Sequence, residues 1–365
     1  MPIRKEELPV HSKVFVFCIA ALIGFILRQL GIPIPYMLGG IVSAFFIKTF
    51  RDNSLKWSPQ LRGLMLGVAG YGIGSNCTAE TFLKLSQETI GIFGACLSTL
   101  FVSVCVSVYM ARHTFANLLS SLMGCMPGGL TQMTLMMEDY KEADENVVVV
   151  SQCLRLFVVE VSVPFLAINL FGGTLTKSAS LGLAATTVND ILSVFQTGWL
   201  VMIPLALIGQ ALAKRIHMPT WQLLGPILLT AVYACFFDRT PRVPAPVMAF
   251  AQLNIGLYIG TMLDRDKLLK TRALIPNVLI GSLLMVATSA VVAVIVSRLY
   301  GFSSITAFLA VAPGGIAEMC LAGLEMNENV AVILTYQLIR VIMLNVVVPL
   351  GIRKYFGDGT TGAKA

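Results

Sequence analysis

Charge is what this chain has least of. Only 12% of its 365 residues are Asp, Glu, Lys or Arg, about half the roughly 25% that a soluble domain carries, which excludes an ordinary soluble enzyme. Histidine is scarcer still: His11, His113 and His217 are the only three, each near the end of a predicted helix. The eight cysteines, Cys18, Cys77, Cys96, Cys105, Cys125, Cys153, Cys235 and Cys320, are scattered through mostly apolar stretches without a Cys-x-x-Cys pair. Neither a disulfide framework nor a metal site is implied, and no cofactor is expected. The run Val14 to Leu30 has no small-x-small cleavage site after it, so it reads as a retained span, not a removed signal peptide.

What is present is apolar. Hydrophobic residues make up 56% of the chain; about 204 of them, at roughly 20 per membrane-crossing helix, allow on the order of ten spans. The net charge of +7 comes from 26 Lys and Arg against 19 Asp and Glu. With no basic arm or recognition-helix cluster, it is a topology signal and not a nucleic-acid footprint.

An internal repeat organises the sequence. Pro33–Ile41 is echoed by Pro219–Ile227, Gly70–Gly74 by Gly256–Gly260, and Met126–Met133 by Ala312–Met319, each at an offset of 186. After a one-residue slip, Gln152-x-x-Arg155 matches Gln337-x-x-Arg340, and Pro164 matches Pro349, at 185. The halves span 11–170 and 197–355, with 171–196 as a linker rich in Gly, Ser and Thr near its start. Apolar segments fall at 14–30, 35–50, 60–76, 89–110, 115–137 and 147–170, and again at 192–213, 221–237, 245–263, 274–297, 303–324 and 330–351. Gly63, Gly67, Gly70 and Gly74 recur at helical spacing, which close helix packing explains.

Loop charges discriminate between parallel and inverted halves. Inversion with a cytoplasmic N-terminus places 18 basic residues inside and 6 outside; parallel halves give 15 and 9, because the Arg265, Lys267, Lys270, Arg272 cluster is then stranded outside. The expected architecture is all-α: two inverted repeats, about ten transmembrane helices, and two further helices broken at Pro-Gly-Gly or re-entrant, with both termini cytoplasmic.

The two triplets, Pro127-Gly128-Gly129 and Pro313-Gly314-Gly315, interrupt apolar segments where an unbroken helix is otherwise expected. They free backbone groups that hydrocarbon does not tolerate unless protein or a wet cavity surrounds them. A helix restarting after each triplet points free N–H donors and positive partial charge at a solute. A plain kink or surface loop is the other reading. Ionisable residues deep in apolar helices are the second signal, at about 3 kcal/mol each on the lenient scale. Gln152 shares a helix face with Arg155, and Gln337 with Arg340. Glu318 stands where the first half has Gln132, and Glu160 where the second has Asn345. Glu160 lies roughly 140° round its helix from Arg155, so its partner belongs to another helix. Structural Arg-Glu pairing and proton coupling by a buried acid are both open to this set. The acids Glu138, Asp139, Glu142, Asp144 and Glu145, with Glu325 and Glu328 in the second half, read as solvated loops.

Two Pro-Gly-Gly-x-x-Glu/Gln-Met motifs, each followed by a Gln-x-x-Arg helix, resemble the AbrB-type duplicated integral-membrane family over nearly the whole chain. The resemblance implies a multi-pass protein of the bacterial inner membrane, in the inverted-repeat superfamily of cation/proton antiporters and anion transporters. Gln132 departs from the acidic pattern, which weighs against a carboxylate from both halves. Family members are labelled regulators of gene expression and also ammonia monooxygenases. A monooxygenase needs copper, iron or flavin, which three peripheral histidines and scattered cysteines do not supply, so no enzyme is expected.

The reading is therefore a secondary transporter of a small anionic or polar solute, coupled to protons or sodium and open to homo-oligomerisation in the bilayer. Pro127, Gly128, Gly129, Gln132, Pro313, Gly314, Gly315 and Glu318 would line the site. Gln152, Arg155, Gln337 and Arg340 would hold its polar network, and Glu318, Glu160 and Asn345 would serve coupling. The alternative is a membrane regulator acting indirectly, since the chain contains no DNA-binding domain.

Overall fold

A computed structural model describes residues 10–51, 53–77, 89–127, 142–173, 199–216, 220–236 and 243–356, with positions 133, 136, 137, 140, 218 and 241. Every regular element among the described residues is helical. In chain order these are α1 (Val10–Gln29), α2 (Pro35–Phe50), α3 (Pro59–Gly74), α4 (Thr89–His113), α5 (Leu118–Cys125), α6 (Glu145–Asn169), α7 (Trp199–Arg215) and α8 (Trp221–Phe236). They are followed by α9 (Ala245–Gly260), α10 (Arg265–Lys270), a 3-10 turn (Arg272–Leu274), α11 (Ile275–Tyr300), α12 (Ser304–Val311), α13 (Ile316–Glu325) and α14 (Val330–Phe356). The 171–196 linker falls outside the described residues from 174 onward.

The repeat reappears as helix boundaries. Adding 186 to the ends of α2, α3 and α5 gives the ends of α8, α9 and α12. Their starts are encoded alike: Asn117 Oδ1 accepts from Ser120 N at 2.7 Å to cap α5, and Ser303 Oγ accepts from Thr306 N at 3.0 Å to cap α12. Less expected are Ile34 and Thr220, again 186 apart, which precede α2 and α8 in left-handed conformation with φ of 45° and 48°. β-branched residues rarely adopt this region.

Four stretches among the described residues are long and apolar enough to cross a membrane: Gly91–His113, Glu145–Asn169, Arg272–Tyr300 and Val330–Phe356. The helices α2, α8 and α9 are apolar but shorter. Exposed Phe101, Phe236 and Leu299 leave large apolar side chains at the surface, as lipid-facing helices do.

The chain forms two compact units, and each draws on both sequence halves. The first comprises 1–87, 164–262 and 317–332; the second comprises 88–163, 263–316 and 333–365. In the first, α1 packs on α2 and α7 on α8, while α2 packs on α9 and α3 on α8. Each contact has its repeat-related counterpart. Glycine makes the crossed pairs possible: a Cβ on Gly74 would stand 2.5 Å from Ile227 O, and one on Gly260 would be as crowded by Ile41 O. Val16, Ala20, Tyr36, Ala44, Leu253 and Leu257 fill the core between α1, α2 and α9.

In the second unit α4 packs on α5 and α11 on α12, and α4 meets α11. Its core joins Leu119, Met123 and Met126 to Val148 of α6 and to Leu344, Val348 and Ile352 of α14.

Candidate functional site

The second unit places the interruption between α12 and α13 against two long helices. The break at 312–315 leaves carbonyls at the end of α12 and an amide at Gly315 to be satisfied, since an unpaired buried backbone group costs about as much as a lost hydrogen bond. Side chains from α6 and α14 supply the partners.

On α14, the Gln337 amide nitrogen donates to Leu309 O at 2.8 Å, Ala310 O at 3.2 Å and Ala312 O at 3.0 Å. One turn along, Arg340 donates through Nη1 to Ala312 O and through Nη2 to Gly314 O at 2.6 Å. On α6, the Gln152 amide nitrogen donates to Met123 O at 2.6 Å and Met126 O at 2.8 Å, closing the end of α5. Arg155 binds its helical neighbour Gln152 Oε1 at 2.8 Å through Nη2 and reaches the other half through Nη1, which donates to Pro313 O at 3.0 Å. The Gln-x-x-Arg spacing thus places both groups on one face. That face is turned to backbone carbonyls.

A backbone donor of the break meets a carboxylate. Gly315 N–H donates to Glu160 Oε1 at 3.3 Å. Glu160 is fully buried, and both guanidiniums lie within its electrostatic reach. The broken helix is thereby neutralised from both ends: cations at the carbonyls, an anion at the amide. The arginines hold the backbone of the break through its carbonyls, a role distinct from both the Arg-Glu pairing and the proton coupling that the sequence left open. Arg155 Nε, Arg340 Nε and Gln337 Oε1 are buried without a hydrogen-bond partner among the described residues.

The other expected residues are placed as follows. Pro127, Pro313 and Gly314 are buried, and Gly315 is half-buried. Gly128, Gly129 and Gln132 lie outside the described residues. Asn345 is half-buried on α14. Glu318 is buried in the first turn of α13 and belongs with the first unit, where the charge it feels is that of Arg62. Among the described residues no group of three His, Cys, Asp or Glu has metal-binding proximity.

Two ionisable residues have roles that the sequence reading missed. Glu325, expected in a solvated loop, accepts from Gln252 Nε2 at 2.6 Å and from Ile34 N at 2.5 Å, so it anchors the left-handed start of α2. Arg62, counted as a loop charge, stacks its guanidinium 4.8 Å from the Tyr258 ring centroid. The place of Glu325 in the repeat, matching the acidic cluster that begins at Glu138 and Asp139, was the signal available for the first.

Comparison with known proteins agrees with the motif reading. A family model described as "Transition state regulatory protein AbrB" matches residues 36–355. "Uncharacterized protein YhjN" of Bacillus subtilis (strain 168) is 27% identical, over 95% of this chain and 93% of its own. "Putative regulator AbrB" of Escherichia coli (strain K12) is 26% identical, over 87% of this chain and 88% of its own. With the match running through both Pro-Gly-Gly segments and the long apolar helices, the chain belongs to the AbrB family and is a membrane protein.

Proposed function

We propose that this protein is a secondary transporter of a small anionic or polar solute, coupled to protons or sodium. One observation carries the reading: a helix interrupted inside an apolar segment, with its freed backbone groups held by buried Gln337, Arg340, Arg155 and Glu160. Irregular backbone at membrane depth marks binding sites in transporters built from repeats. The arginines then act as positioning residues that keep the break open in one shape, and Glu160 and Glu318 are the acids available for coupling.

Inverted halves, five crossings plus one broken segment in each, agree with the basic-residue distribution and with the reciprocal packing of α2 on α9 and α3 on α8. We place the protein in a bacterial inner membrane with both termini cytoplasmic, and assign it no enzymatic activity. Labelling from the cytoplasmic side of single cysteines introduced near residue 56 and near residue 268, in a variant without the eight native cysteines, checks the topology; protection of the one near 268, alone or with the other, overturns it.

The test of function is uptake into proteoliposomes under an imposed proton or sodium gradient, with organic anions and amines as candidate solutes. Gradient-dependent flux lost in Arg340→Ala is expected, and no flux for any solute sinks the transporter reading. The second reading, a membrane regulator acting through a sensed solute or partner, draws on the name of the Escherichia coli relative. A transcriptional phenotype that survives Glu318→Gln and Arg340→Ala, while flux does not, favours it.

A further inference from the structure

Glu160 does in this structure what a carboxylate solute would do. Its Oε1 accepts the Gly315 N–H, a backbone donor freed by the break. It lies fully buried within electrostatic reach of both Arg155 and Arg340. Each of these guanidiniums is more than nine-tenths buried and keeps its Nε–H without a hydrogen-bond partner among the described residues. A buried amide donor and two buried cations with an unused N–H apiece make an anion site. Here the chain fills it with a side chain of its own.

We infer that Glu160 is a tethered occupant of an anion site, that the solute is a small carboxylate which takes its place at Gly315 N–H and at the free Nε–H donors of Arg155 and Arg340, and that Glu160 gives way by taking up a proton. This rests on the transporter reading and deepens it by naming the solute class and the coupling ion. The charge balance gives the reason. Among the described residues, two guanidiniums and one carboxylate leave one positive charge at the break; adding a second carboxylate puts two anions side by side in a site of low dielectric, which raises the proton affinity of one of them. A proton on Glu160 restores the original balance, so one proton accompanies each anion. Among the described residues, the groups acting on Glu160 include Arg155 on its own helix α6, Arg340 on α14 and the Gly315 amide. The thiols of Cys125 and Cys153 beside Arg155, and of Cys96 beside Arg340, are the further titratable neighbours.

The test is calorimetric binding of acetate, lactate and succinate to the full-length protein in detergent, at about pH 5.5 and about pH 7.5, in buffers of differing ionisation enthalpy. For the wild type, at least one probe is expected to bind, with uptake of one proton and affinity rising as pH falls, by up to about tenfold per unit. Glu160→Gln, an uncharged stand-in for the protonated acid, is expected to bind the same probe without proton uptake and without pH dependence. The inference is overturned if no probe binds, if wild-type binding takes up no proton, or if folded Glu160→Gln loses binding. Proton counting on the wild type decides the matter even where the variant does not fold. Carboxylate binding with proton uptake but no gradient-driven flux supports this inference and sinks the transporter reading. Gradient-driven uptake confined to amines does the reverse.

Discussion

Gln152 and Gln337 grip the same landmark twice: the first donates to Met123 O and Met126 O, the second to Leu309 O and Ala312 O, each pair displaced by 186. Each glutamine closes the carbonyl end of a short helix that a Pro-Gly-Gly triplet has cut off. Replacing either by leucine keeps bulk and removes the donor, leaving buried carbonyls unpaired. Gln152→Leu and Gln337→Leu are each expected to lower stability by about 1–3 kcal/mol. Thermal unfolding in detergent measures it, and a silent Gln337→Leu would show that water reaches those carbonyls.

The glycine crossings offer a matched pair. Gly74→Ala and Gly260→Ala each push a methyl group against a carbonyl of the facing helix, Ile227 O or Ile41 O. Overpacking of this kind costs about 1–3 kcal/mol. The two variants should lose similar amounts of melting stability, because the contacts are repeat-related; a large loss in one alone would contradict that equivalence.

Arg340→Lys separates charge from shape. A lysine keeps the positive charge but does not reproduce the planar fork that reaches both Ala312 O and Gly314 O. The expected outcome is a folded protein whose gradient-driven flux falls on the order of 10- to 100-fold, since small misplacements of a binding backbone carry penalties of that size. Flux equal to wild type would remove Arg340 from the positioning role.

Buried and exposed acids should behave differently. Glu325→Ala strips Ile34 N and Gln252 Nε2 of their acceptor and is expected to cost about 1–3 kcal/mol. Lys267 and Glu145 form a 2.7 Å ion pair with side chains 31% and 65% exposed; Lys267→Ala should cost less than about 1 kcal/mol. Melting curves of the two variants at equal ionic strength check the contrast.

Much of this was written in the sequence. The 186-residue register that linked Pro33–Ile41 to Pro219–Ile227 reappears in helix ends, and the Gln-x-x-Arg spacing puts Arg155 and Gln152 in contact. What helical periodicity provides is a direction, not a partner. It turned Glu160 away from Arg155 but did not reveal Gly315 as its donor. Glu325 and Arg62 were assigned to loops because a charge near the end of an apolar run is usually solvated. In this fold Ile34 N and Gln252 hold Glu325, and Tyr258 of α9 stacks against Arg62. The left-handed turns at Ile34 and Thr220 were illegible for a different reason: nothing in a β-branched residue announces positive φ.

The crossed pairing of α2 with α9 has a consequence for synthesis. The start of α9 emerges 210 residues after that of α2, which at ribosomal speeds of about 5–20 residues per second is a wait of roughly 10–40 s. Throughout that interval the glycine face of α2 that will receive Leu253 and Gly256 has only lipid or a temporary companion against it. The chain's own α1, already made, packs on α2 at Gly39 and leaves the neighbouring Gly40 face waiting for α9. A ribosome stalled before residue 245 would hold a bilayer intermediate whose α2 still lacks its α9 partner.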